Sequence, residues 1–275
     1  MNPTVVYLDT NHISDLARHP DRGDSKSFLR ALESASSSLA LSIVHLIELS
    51  DPEFKSAPDV GAMLDSVPVV WALAPDDLWL AEVNAAFGLS IGVTIPVEPF
   101  VRDVNAMLGG RALGAAPSDA LIAFSNPDLR QQIEVIAERG MMFEMLKRNA
   151  SLVVDPLLLL KKMIATRQPR ATPSGIILPK RIDADIIVKS AGGLSGFPSY
   201  GLMHKVATGR LRDLQFVPQR SDVFDLMHVG YAAYATVTGL ERSHAARVRA
   251  ARPSPAQSVF HRMSEVTAGL LQTAV

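Results

Sequence analysis

The chain contains no cysteine. That excludes a disulfide framework, a thiolate zinc site, an iron–sulfur cluster and a cysteine nucleophile. A reducing cytoplasm fits this composition. Aromatic residues make up only 6%, so a stacking platform for single-stranded nucleic acid has little support. Long hydrophobic runs are also missing. Leu157 to Leu160 is bounded by Asp155 and Lys161, far short of the roughly 18 apolar residues of a membrane span. No basic region precedes an apolar stretch at the N-terminus, so a secretory leader is not expected. There is no internal repeat. No Gly-x-Gly-x-x-Gly follows the first apolar run, which argues against a small-molecule enzyme with a dinucleotide cofactor.

What is present is a chain of 275 residues, 48% hydrophobic and 20% charged, a normal balance for a globular protein with a substantial core. The net charge of −1 hides a split. Residues 1–150 carry 11 Lys+Arg and 20 Asp+Glu, a balance of −9. Residues 151–275 carry 16 and 8, a balance of +8. Such asymmetry suits a chain that holds a cation with one part and a polyanion with another.

Thr4 to Leu8 is a short β-branched and apolar run, as expected of a buried parallel strand. A helix over 13–18, a helix over 25–36, a strand over 38–44 and a helical stretch through Glu48 follow. This alternation predicts an α/β unit with a parallel sheet. From 51 to 214 the spacing predicts helices over 76–89, 98–108, 118–125, 128–149, 155–167, 181–191 and 199–208, with few β runs. Pro and Gly punctuate the joins, notably 169–179 and 192–198. The α/β pattern returns with a short strand or connection at 215–217, a helix over 221–234 and a strand over 235–240. A basic helix over 243–251 and a last helix over 256–272 complete it. The expected organisation is an α/β core made of 1–50 and 215–275, interrupted by a mostly helical insertion at 51–214.

Four places set a carboxylate just after a strand or at a helix start: Asp9, Glu48, Asp222 with Asp225, and Glu241. In a parallel α/β sheet the C-terminal strand ends share one edge, where ligands bind. Carboxylates that converge there repel unless a cation compensates them. Their hard oxygens suit Mg²⁺ and Mn²⁺.

Leu8-Asp9-Thr10-Asn11 followed by Leu16 resembles the first motif of PIN-domain ribonucleases. Leu41-Ser42-Ile43-Val44-His45-Leu46-Ile47-Glu48 resembles their second. Ser221-Asp222-Val223-Phe224-Asp225-Leu226-Met227-His228, with Tyr231 and Tyr234, is similar to a helix of larger PIN-like proteins that leads into a short strand and a final acid. That acid is Glu241, seven residues after Tyr234, where the family usually has aspartate. The resemblance covers about 1–50 and 215–275 and rests on the order and spacing of motifs that are individually unspecific. It implies a three-layer α/β sandwich with a central parallel sheet and metal-dependent hydrolysis of RNA phosphodiesters. It implies Asp9, Glu48 and Asp225 as ligands of Mg²⁺ or Mn²⁺, or as acceptors of metal-bound water. Glu241 would be the fourth acid, with Asn11 and Ser42 as hydrogen-bonding support.

Each residue also has a plainer reading. Asp9 could be a helix N-cap, Glu48 a solvated helix glutamate, and Glu241 an acid favoured by the helix dipole. Asp222 is a natural N-cap, but it lies one turn from Asp225, so both could reach one metal. His228 could touch phosphate or an acid, or simply pack; His45 reads as structural. Asp119, in Pro117-Ser118-Asp119-Ala120, rivals Asp225 but reads better as a helix cap. Two basic groups, Lys161, Lys162, Arg167, Arg170, Lys180 and Arg181, then Arg242, Arg247, Arg249 and Arg252, are either phosphate contacts or solvated faces. The expected function is an Mg²⁺- or Mn²⁺-dependent nuclease acting on RNA, with DNA open as a substrate. A degenerate PIN-like module that binds RNA or protein without cutting is the alternative. A toxin with an antitoxin-like partner and a homo-oligomer are further options.

Overall fold

The computed structural model describes residues 4–51, 57–104, 116–126, 155–166, 183–212, 220–251 and 257–273. The expected helix over 128–149, the connection at 215–217 and residues Arg167, Arg170, Lys180, Arg181 and Arg252 lie outside these. The described residues form an α/β fold of twelve helices and one mixed, mostly parallel six-stranded sheet, compatible with a three-layer sandwich.

The chain begins with β1 (Val5–Leu8), α1 (Thr10–Arg18), α2 (Gly23–Ser34), β2 (Ser38–Leu41) and α3 (Ile43–Leu49). Next come α4 (Ala57–Asp65), β3 (Val69–Ala72), α5 (Pro75–Ser90) and β4 (Phe100–Val101). Helices α6 (Pro117–Phe124), α7 (Pro156–Thr166), α8 (Ala184–Ser190) and α9 (Pro198–Leu211) follow. The C-terminal part holds α10 (Arg220–Tyr231), β5 (Val237–Gly239), α11 (Arg242–Ala250), β6 (Ser258–Phe260) and α12 (Met263–Thr273).

The sheet order is β4-β3-β2-β1-β5-β6, with all pairs parallel except β3 with β4. β1 is therefore central and buried on both faces, which explains its unbroken apolar sequence. The strand order runs outward from β1 through β2 on one side and through β5 on the other. Such a reversal opens a crevice at the carboxyl ends of the two strands flanking it. Tyr7 pairs with Ala40 on one side and Thr238 on the other, so all three strands end at one level. The contact is tight at Gly239, where an added Cβ would lie 2.7 Å from Leu8 Cδ2.

Three expectations are corrected. The stretch 98–108 does not start as a helix: Phe100 and Val101 pair antiparallel with Ala72 and Trp71. Pairing across the chain overrides the local helical spacing. Val69–Ala72 is a strand that the periodicity does not reveal, because a four-residue apolar run fits either state. The last helix starts at Met263 rather than 256, because Ser258–Phe260 pairs with β5. The sheet thus takes two strands from within 51–214, and its β4 edge makes it mixed rather than parallel throughout.

The main core packs around the sheet. A second cluster joins α5, α7, α8 and α9 through Leu80, Val83, Leu160, Ile187 and Tyr200. Buried Glu82 on α5 ties the two together. It accepts from Ser199 N at 2.6 Å, in the first turn of α9, and from Tyr234 Oη at 2.7 Å, after α10. Among the described residues, no helix is long and apolar enough to cross a membrane.

Candidate active site

Asp9, Glu48, Asp225 and Glu241 line one open cleft of about 230 Å³, together with Asn11 and His228. Thr10, Leu240 and His244 complete its wall. The four acids come from four separate stretches of sequence. Asp9 follows β1 directly and Glu241 follows β5 by two residues, so the parallel register brings them to the same edge. Glu48 stands on the helix after β2, and Asp225 and His228 stand one turn apart on α10.

Asp9 is buried, and both its oxygens accept hydrogen bonds. Its Oδ1 accepts the backbone N–H of His12 at 3.0 Å, capping α1, and the His12 ring at 2.6 Å. Its Oδ2 accepts the Glu241 N–H at 2.5 Å, which pins the β5–α11 turn to the β1–α1 turn. The cap role and the site position therefore coincide in one residue. The second nitrogen of His12 faces the His261 carbonyl at 3.2 Å, so both ring nitrogens meet acceptors and the imidazolium is favoured. Burial opposes both charges, but the mutual bond and charge outweigh it. The Asp9 carboxyl is held below its ordinary range and His12 above its own.

Glu48 Oε2 accepts from the Thr10 hydroxyl and from His228 Nε2 at 3.0 Å. Here too burial opposes ionisation while the pair favours it, lowering Glu48 and raising His228. Behind His228 runs a buried string. His228 Nδ1 lies 2.6 Å from Tyr7 Oη, Tyr7 Oη lies 3.1 Å from Ser42 Oγ, and Ser42 Oγ lies 3.1 Å from His45 Nδ1. His45 Nε2 ends the string on the Leu8 carbonyl at 2.7 Å. A carbonyl only accepts, so Nε2 carries the hydrogen and Nδ1 accepts the Ser42 backbone N–H at 2.9 Å. Burial, helped by the neighbouring His228 charge, pushes His45 down to about 3, so it is neutral and structural. Ser42 lies under the cleft rather than in its wall.

Asp225 Oδ2 faces two bases, Arg210 Nη2 at 3.3 Å and His244 Nε2 at 3.3 Å. Burial pushes the Asp225 carboxyl up to about 6, against the pull of Arg210. Burial and the same guanidinium push His244 down to about 4. Asp222 is outside the cleft wall and pairs with Arg210. Asp119 lies on α6, also outside the wall, where it accepts the Ala116 backbone N–H at 3.3 Å as a helix cap. Arg242, Arg247 and Arg249 lie exposed on α11, which begins beside Glu241. Lys161 and Lys162 stand on α7, away from the cleft wall, and Lys161 pairs with Asp185 at 2.5 Å.

Three bases of the site, His12, His244 and Arg210, escaped sequence reading, whereas His228 did not. His12 and His244 each lie three residues after an acid at a helix start, a spacing that could have marked them. Arg210 carries no such signal, since it arrives from α9.

Three carboxylate oxygens of the cleft are the ones that could meet a hard divalent ion. Asp9 Oδ2 accepts a single N–H, while Glu48 Oε1 and Asp225 Oδ1 make no hydrogen bond among the described residues. No group of three or more His, Asp or Glu among the described residues is spaced to hold an ion by itself. Mg²⁺ needs no such cage, since it keeps several waters and uses one or two carboxylates with substrate phosphate. No family model matches the chain, no curated protein is found similar to it, and no solved structure matches it.

Proposed function

We propose that the chain is a PIN-like nuclease that hydrolyses RNA phosphodiester bonds with the help of Mg²⁺ or Mn²⁺. The observation that carries this reading is the convergence of Asp9, Glu48, Asp225 and Glu241 on one cleft at the carboxyl edge of the sheet. Glu48 and Asp225 would hold the ion through their unengaged oxygens, with Asp9 contributing Oδ2. When bound, such an ion neutralises phosphate charge and makes its water more acidic. The chain supplies the rest. Thr10 and His228 fix the Glu48 carboxylate, and His12 fixes Asp9. Arg242, Arg247 and Arg249 offer cations to the strand's phosphates beside the cleft. Labelled RNA incubated with Mn²⁺ should be cut, and Asp9→Asn should abolish cutting; equal cleavage by that variant overturns the reading.

One observation favours a second reading, a binding module that does not cut. Asp9 already receives three donors, and its charge is met by His12 without a metal. Calorimetric titration separates the two: binding of Mn²⁺ at millimolar concentration supports the nuclease, and its absence supports the module.

A further inference from the structure

Glu82 is fully buried on α5, whose Leu78 belongs to the main core and whose Leu80, Val83 and Ala86 belong to the second cluster. Its carboxylate reaches into both. Oε1 accepts the Tyr234 hydroxyl at 2.7 Å, and Tyr234 packs against the main core. Oε1 also accepts the Ser199 N–H at 2.6 Å and Oε2 the Tyr200 N–H at 3.5 Å, the first amides of α9 after Pro198. Phe197, which precedes α9, offers no side-chain cap, so Glu82 caps α9 from another helix. α9 lies tightly on α10 here: a Cβ added at Gly230 would lie 2.8 Å from Met203 Sδ and 2.9 Å from Ser199 Oγ.

The three donors and the positive end of a helix dipole favour the carboxylate. No cation does. Among the described residues of α5, α8, α9 and α10, and beyond α10, the groups that face Glu82 are the Tyr234 hydroxyl and the two amides. Burial without a counter-charge prevails and pushes the carboxyl up to about 7. Withdrawn from this seat into water, the same carboxyl would ionise near its ordinary 4.5. The seat therefore opens more easily as pH rises between those values.

We infer that Glu82 is a proton-operated latch, which holds the helices of the second cluster against α10 when protonated and releases them when ionised. The latch needs neither an ion nor a substrate. It meets the cleft through α10, which carries Asp225 and His228.

Hydrogen exchange followed by mass spectrometry on the full chain at pH 5 and pH 8, corrected for the intrinsic pH dependence of amide exchange, measures this. Amides over 79–88 and 199–203 should be less protected than those over 5–8 and 38–41, and their opening should be roughly tenfold or more easier at pH 8. Glu82→Gln, which cannot ionise, should show no such gain. Glu82→Met, apolar and of similar length, is measured beside it, with thermal melting to show that each is folded. Equal opening at both pH values in the native protein overturns the latch. So does a gain that persists in either folded variant, which would belong to another group. Equal protection of the helices and the strands at pH 8 also overturns it, because the chain then opens only as a whole.

Discussion

His228 Nε2 lies 3.0 Å from Glu48 Oε2, although 180 residues separate them in the chain. This pair closes α10 onto α3 over the end of β1. Its imidazole is held from behind by Tyr7 at 2.6 Å, so a residue of the central strand sets the angle at which His228 meets the acid. Core packing and site geometry are thus the same feature at this point.

Glu48→Gln keeps an acceptor for Thr10 and His228 but removes the charge. Cleavage of labelled RNA with Mn²⁺ should fall by roughly two to three orders of magnitude, the size expected when one charged group is lost from a preorganised site. The melting temperature should change little beside that. Unchanged cleavage rates would remove Glu48 from the proposed machinery.

Tyr7→Phe deletes one hydroxyl from a fully buried string. It leaves His228 Nδ1 and Ser42 Oγ each without that partner. Urea denaturation should show a loss of about 1–3 kcal/mol, the cost of leaving buried polar groups unpaired. A loss indistinguishable from zero would mean that the string carries no net stability.

Glu82 makes stability depend on pH. Burial pushes its carboxyl from an ordinary 4.5 up to about 7, against the pull of Tyr234, Ser199 and Tyr200. Between those values the folded state binds more protons than the unfolded chain, so this contribution falls as pH rises from 4.5 towards 7 and then levels off. Glu82→Gln carries no such titration. Its stability relative to the native protein should therefore rise between pH 5 and pH 8, by roughly 2 kcal/mol. Parallel stability-against-pH curves for the two proteins would show that Glu82 does not titrate in this range.

Replacing Arg242, Arg247 and Arg249 together by alanine should weaken RNA binding and flatten its salt dependence. Each phosphate of a single strand that is no longer neutralised lowers the slope of log K against log salt by about 0.7, so removing three cations lowers it by about 2. Filter binding across a potassium chloride series measures this. An unchanged slope would identify these arginines as a solvated face.

Much of the site was legible because its signals are local. Asp9 follows an unbroken apolar strand, and Glu241 follows a short one, so a parallel sheet had to bring both to one edge. Asp225 and His228 share a helix face by their spacing. β3 and β4 were not legible, because four and two residues are too few to show a period and their partners lie elsewhere in the chain.

The amino-acid sequence by itself determined the α/β alternation at both ends, the acids that follow the strands, and the basic helix after Glu241. Those depend on neighbours in the chain. Only the tertiary structure decided which bases meet those acids: His12 at Asp9, His228 at Glu48, and Arg210 with His244 at Asp225. The reason is physical. A sequence states how many charges there are and of which sign, but their interaction depends on separation and burial, which folding alone sets.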